Sequence, residues 1–211
     1  MLYIHYFFVF FFGCCLASVY YYLSSRPPVQ WRFDSFVSLL HPYRLPLLLH
    51  QVLGGLFSLS LALQHAAQPA TFIYHFILYH LLFWIAAIDQ HHMVIPDSLQ
   101  VGLVSLFLAA HLAKDQLFQP LYLLSAVGMF LVACLCDFFV SDGLGGGDIK
   151  LFIALSYGYG FEHVIRISLF ASIIALITIG IRFKVVKINP NTPIPFGPFI
   201  VVAFLLVEAL F

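Results

Sequence analysis

The spacing of its charged and turn residues is what most limits the folds open to this chain. They divide it into apolar stretches at about 2–23, 46–64, 70–89, 96–113, 120–140, 148–159, 162–182 and 196–211. A run of about 20 apolar residues crosses the hydrocarbon core of a bilayer as a helix, which satisfies its own backbone where no water is available. Composition closes the alternatives. The 211 residues are 63% hydrophobic and only 9% charged, against about 25% charged in a soluble domain. Too few polar side chains exist to clothe a water-soluble globule. The reading is an all-α integral membrane protein of about eight transmembrane helices, with no room for a sizeable soluble domain.

Nine Lys and Arg balance nine Asp and Glu, so nothing in the charge points to nucleic acid as a partner. The four cysteines fall as Cys14-Cys15 and Cys134-x-Cys136 inside apolar runs. Without CxxC or zinc-ligand spacing they read as small buried hydrophobes. The run Met1–Leu23 is too long for a cleavable signal and lacks a basic start, so it reads as a retained anchor. Orientation follows from the loops. With the N-terminus outside, Arg26, Arg32, Arg44, Lys150, Arg182, Lys184 and Lys187 gather at the cytoplasmic side, and only Lys114 and Arg166 lie opposite. Both termini are then outside.

An ionisable group in a membrane helix costs at least about 2.5–3.5 kcal/mol on insertion scales and usually persists for a reason. Asp89 ends the third stretch, and Asp97 follows Pro96 where the fourth should begin. Asp142 and Asp148 bracket the glycines of SDGLGGGDIK. All four fall at the cytoplasmic boundary of this topology. Asp89 closes a helix and Asp148 opens one; a helix start favours an ionised carboxylate and a helix end does the reverse. Such a pair can hold one water and divide the roles of base and acid. Gly145, Gly146 and Gly147 are expected to allow positive φ and the close approach of an extended peptide. Pro96 suits a first helical position and Asp97 a first turn, where it would cap free N–H groups. Lys150 is read as snorkelling to the interface, the alternative being contact with a substrate carboxylate. His91 and His92 point about 100° apart on a helix and make a poor chelate, and no HExxH motif occurs. Ser156, Ser168 and Ser172 lack any motif of serine catalysis.

These residues fall into recognisable motifs. IDQHHMVIPD, Asp-x6-Pro-Asp from Asp89 to Asp97, resembles the first motif of the type IV prepilin peptidases. GGGDIKL, from Gly145 to Leu151, is similar to their Gly-x-Gly-Asp-x-Lys motif, and PFGPFI, from Pro195 to Ile200, to the Pro-(Phe/Tyr)-Gly-Pro segment before their last helix. GCCLASVYYYLSSRPP near the start is similar to their Gly-Ser-x-x-Asn-Val-x-x-x-Arg-Leu-Pro pattern. The resemblance covers about residues 70–211. It implies N-terminal transmembrane helices with a short cytoplasmic loop over 1–69 and a GxGD aspartic peptidase transmembrane domain over 70–211. It further implies an aspartic endopeptidase of the bacterial inner membrane, multi-pass and with its active site facing the cytoplasm. Its partners would be the lipid bilayer and type IV pilin-like precursors, whose basic leader it would remove.

Carried over by motif, the catalytic pair is Asp89 and Asp148. Pro96, Asp97, Gly145, Gly147, Lys150, Pro195, Gly197 and Pro198 are supporting residues, and no cofactor or metal is implied. Where many relatives carry two CxxC pairs in a large loop, residues 24–45 are short and hold no cysteine, although RFDSFVSLLHPYRLP keeps part of that loop's character. The cysteine metal ligands linked to N-methylation are thus absent from this loop, which leaves that activity open, and the chain is similar to the reduced, competence-type peptidases. Two other classes stay open: a presenilin-like or signal-peptide-peptidase-like protease, and a small proton-coupled transporter. The first usually shows Tyr-Asp where Ile88-Asp89 stands, and the second usually shows two matching halves.

Overall fold

A computed structural model of the chain describes residues 6, 9–17, 19, 44–114, 120–139, 145–186 and 194–211. Asp142 and the basic residues Arg26, Arg32 and Lys187 lie outside the described residues, as do the side chains of Arg44, Arg182 and Lys184. The described chain is helical, with no strand among the described residues. After α1, a helical stretch at 9–17, come α2 (Arg44–Gln64), α3 (Pro69–His92), α4 (Asp97–Ala113), α5 (Pro120–Phe139), α6 (Gly146–Tyr159), α7 (Phe161–Val186) and α8 (Gly197–Leu210). Each helix falls on an apolar stretch of the sequence. Two of them, Pro69–His92 and Phe161–Ile181 of α7, are long and apolar enough to cross a membrane.

The helices cluster into two compact units, Met1–His92 and Met93–Phe211. In the first, small residues let α1 and α2 touch. A Cβ on Gly54 would stand 2.7 Å from the Ala17 Cβ, and one on Gly13 would stand 2.7 Å from the Gly54 carbonyl oxygen. Close backbone approach of this kind supplies the dispersion contacts that hold helices together where lipid removes the hydrophobic drive. Along α3, Leu78, Leu82 and Ile85 are fully buried, and the Phe57 ring of α2 meets Tyr79 and Phe83 edge-on.

In the second unit α6 packs against α4, α5 and α7, and α7 against α8. Leu151, Leu155, Val164, Ile167, Ile200 and Phe204 are completely buried. Gly158 lets α6 lie on the Phe107 ring, 2.7 Å from where its Cβ would be. The turn from α6 into α7 takes one residue, Gly160, at φ 89°, a left-handed conformation that glycine adopts without cost. The outside is apolar: on α5, Leu121, Leu124, Leu131 and Phe138 are all exposed. That surface suits lipid as its solvent. Of the cysteines, Cys15, Cys134 and Cys136 lie on this outer surface, not in the core where the sequence reading placed them. An apolar run in a membrane helix has outward positions as apolar as its inward ones, so hydrophobicity alone does not separate the two.

Candidate active site

Asp89 belongs to the first unit. It lies in the last turn of α3 and is 5% exposed, one residue beyond the buried Ile88. His91 is exposed and His92 half-buried, with ring centres 6.4 Å apart. Among the described residues no three His, Cys, Asp or Glu side chains gather as a metal site requires. After His92 the chain turns through Met93 at φ 55°, a left-handed position for a residue with a full side chain.

Asp148 belongs to the second unit, in the first turn of α6, and is half-buried. The glycines before it act through space. Gly145 is the N-cap at φ −64° and ψ 137°, ordinary extended backbone, so positive φ, expected from the sequence, is not what it supplies. A Cβ there would stand 3.0 Å from the Asp148 Oδ2: the carboxylate folds back over Gly145. A Cβ on Gly147 would stand 3.1 Å from the Ile95 Cβ, whereas one on Gly146 would meet nothing within 4 Å. The pattern Gly-x-Gly-Asp is therefore steric, with two crowded positions flanking an open one.

The stretch 95–100 fixes α6 from α4. Pro96, at φ −63° and ψ 132°, is the N-cap of α4 rather than its first helical residue, and its carbonyl accepts from the N–H groups of Leu99 and Gln100. The sequence reading made Asp97 a cap. Instead its Oδ1 takes a hydrogen bond from Lys150 Nζ at 2.7 Å, with both side chains more than half exposed. Lys150, read from the sequence as snorkelling to the interface, gives its ammonium to this carboxylate. A groove of about 630 Å³ runs between α4, α5 and α6, with this pair at its rim and Val101, Val104, Ile153 and Tyr157 along it. On a helix, position 150 lies about 200° round from 148, so the groove opens on the face of α6 away from Asp148. On the Asp148 face, one turn on, Phe152 meets Phe196 with ring centres 6.4 Å apart. Phe196, the N-cap of α8, sits between Pro195 and Gly197, both buried, and Pro198 is the second residue of α8. The Pro-Phe-Gly-Pro segment thus packs on α6 one turn from Asp148.

Sequence reasoning missed the cross-ties on α6. The Nε2 of buried Gln100 donates to the Gly147 carbonyl at 3.2 Å, that of buried His111 to the Tyr157 carbonyl at 3.1 Å, and the Ser156 Oγ to the Ser125 carbonyl at 2.9 Å. A signal existed: Gln100 and His111 share the helical spacing of the buried Leu103 and Phe107, and a polar residue on a core stripe needs a partner. Ser168 and Ser172 give their hydroxyls to the backbone of their own helix, at Ile165 and Ser168.

An apolar protein, all-helical among the described residues, with one aspartate buried at a helix end and a second folded over the glycine that opens its helix, is the class defined here. Residues 76–180 match the type IV leader peptidase family, and the chain belongs to that family. It is 32% identical over 124 residues to a prepilin leader peptidase/N-methyltransferase of Legionella pneumophila, covering 56% of this chain and 43% of the relative. Against proteins of the same description from Vibrio cholerae and Bacillus subtilis it is 30% and 28% identical, over 62% and 60% of this chain and 53% and 51% of theirs. The chain thus spans about half the length of these curated relatives. No solved structure matches it.

Proposed function

We propose that the protein is a membrane aspartic endopeptidase that removes the basic leader of type IV pilin-like precursors at the cytoplasmic face. The observation that carries the reading is the Asp148 carboxylate folded over Gly145, beside Gly147 set against Ile95, in a stretch that also bears the Asp89 motif and matches the leader peptidase family. The names of the relatives support the substrate class. In this reading about eight helices span the bilayer with both termini outside, and the division falls into 1–69 and 70–211.

The chemistry needs only the two carboxylates and water. A precursor presents its apolar helix from the bilayer and its leader from the cytoplasm, with the scissile peptide beside the Gly145–Gly147 turn. Asp148, at a helix start, accepts a proton from a water as its oxygen bonds to the carbonyl carbon. Asp89 gives a proton to the amide nitrogen, and the carbon–nitrogen bond breaks to a carboxylate and an amine. Pro96, Asp97 and Lys150 hold the start of α6, and Pro195, Gly197 and Pro198 wall its Asp148 face.

The test incubates the purified full-length protein in detergent with a type IV pilin-like precursor and follows the shortened product. Asp89→Asn and Asp148→Asn are each expected to lower the rate by about 10²–10⁴-fold, since each removes one proton-transfer group. Cleavage by either variant at the wild-type rate overturns the assignment. Cysteines at 89 and 148 that form a disulfide under mild oxidation would support the pairing of the two positions.

A further inference from the structure

Gln100 is 5% exposed in a helix whose other buried residues are Leu99, Leu103, Phe107 and His111. A primary amide held away from water costs free energy unless it is hydrogen-bonded, so its place in this apolar stripe needs a reason. Its Nε2 donates to the Gly147 carbonyl across 47 positions of sequence. That carbonyl and the Asp148 N–H belong to one planar peptide unit, so holding the oxygen fixes the plane from which the Asp148 side chain departs. Ile95 presses on the same glycine, and Asp97 binds Lys150 two residues beyond Asp148. Three contacts from one short stretch thus fall on the first turn of α6. Of the three residues only Gln100 is both polar and buried; its bond to Gly147 is part-buried and directional, whereas the Asp97–Lys150 pair is exposed and screened.

We infer that Gln100 is a positioning residue for Asp148, holding the Gly147–Asp148 peptide so that the carboxylate meets the reacting water. This rests on the proposed peptidase activity and goes beyond it, because Gln100 touches neither substrate nor the reacting atoms. Leucine has nearly the same volume and no donor. Glutamate has the same shape, and when ionised sets an acceptor against an acceptor.

Purified full-length wild type, Gln100→Leu, Gln100→Glu and Asp148→Asn are assayed on one precursor, with kcat and KM separated and the folded fraction measured for each. Gln100→Leu and Gln100→Glu are expected to lower kcat by about 10- to 100-fold while KM stays within about twofold, the signature of a misplaced group rather than a lost binding contact. Hydrogen exchange reads the same contact without activity: amides of 145–151 are expected to exchange faster in Gln100→Leu, with the rest of α6 unchanged. A kcat within about twofold of wild type, a loss explained by the folded fraction alone, or unaltered exchange at 145–151 overturns the inference. Wild type that cleaves no precursor overturns the peptidase reading. Wild type that cleaves while the Gln100 variants cleave equally well overturns the positioning role alone.

Discussion

α3 and α6 each carry one of the two candidate aspartates, and they are built on different plans. α3 has 24 residues, enough to cross a bilayer, and is held mainly by packing: Leu78, Leu82 and Ile85 are fully buried, Phe57 meets two of its rings edge-on, and one long side-chain hydrogen bond, between Ser58 Oγ and His80 Nε2 at 3.4 Å, ties it to α2. α6 has 14 residues, about 21 Å of helix against a hydrocarbon core of about 30 Å. It is tied to α4 and α5 by three hydrogen bonds, at Gly147, Ser156 and Tyr157. Apolar attraction is non-directional, whereas a hydrogen bond weakens steeply once bent. A short helix that must present a carboxylate at a fixed place gains more from directional bonds than from area.

The sharpest way to break this contrast is at the glycines. Gly145→Ala puts a methyl group 3.0 Å from the Asp148 Oδ2, so the carboxylate itself must move, and activity is expected to fall about 10- to 100-fold with little change in stability. Gly147→Ala presses on Ile95 instead and is expected to cost about 1–3 kcal/mol of stability as well as activity. Gly146→Ala meets no neighbour and is expected to leave activity intact and raise stability by about 0.5–1 kcal/mol. Precursor cleavage and thermal unfolding in detergent, measured on the three variants together, check the order; equal effects at 145 and 146 would refute the steric account. Next in size, Gly158→Ala drives a methyl group into the Phe107 ring and is expected to destabilise by about 1–3 kcal/mol, read as an earlier unfolding transition. An unchanged transition would mean that α4 and α6 part freely there.

Much of this was legible in the sequence. The helices follow from apolar run length, since a stretch excluded from water has to satisfy its own backbone. The cost of charge drew attention to four carboxylates, and the resemblance of two motifs to those of the prepilin peptidases chose Asp89 and Asp148 among them. What stayed hidden depends on contacts between helices. The motif does not say why the glycines at 145 and 147 are crowded and the one at 146 is not; that lies in Ile95 and in the fold of the Asp148 carboxylate. Asp97 looked like a cap because it begins a helix, and only the placement of Lys150, far along the chain, sends it elsewhere. Gln100 was readable as a polar residue on an apolar stripe, but its partner is a backbone oxygen, which leaves no trace in side-chain pattern.

Smaller effects sharpen the account at the ends of the two helices. Met93, just past α3, holds φ 55° with an exposed side chain. Glycine is the residue preferred in a left-handed position past a helix end, so Met93→Gly is expected to stabilise by about 0.5–1 kcal/mol. The gain is read as a later thermal transition. A loss would show that the Met93 side chain packs for more than its backbone costs.

The smallest expected change separates structure from chemistry at Lys150. Its pair with Asp97 is short but more than half exposed, and pairs of that kind contribute about 0.2–1 kcal/mol after screening. Asp97→Asn and Lys150→Met are each expected to lower stability by no more than that and to leave KM for the precursor unchanged, because the pair faces the groove and not the Asp148 side of α6. Added salt should weaken the wild type slightly and the variants hardly at all, since only the wild type has a pair to screen. A KM that rises in Lys150→Met but not in Asp97→Asn would instead place the ammonium group on the substrate. The groove on that face of α6 would then belong to the path of the precursor, and α6 would serve the reaction from both sides.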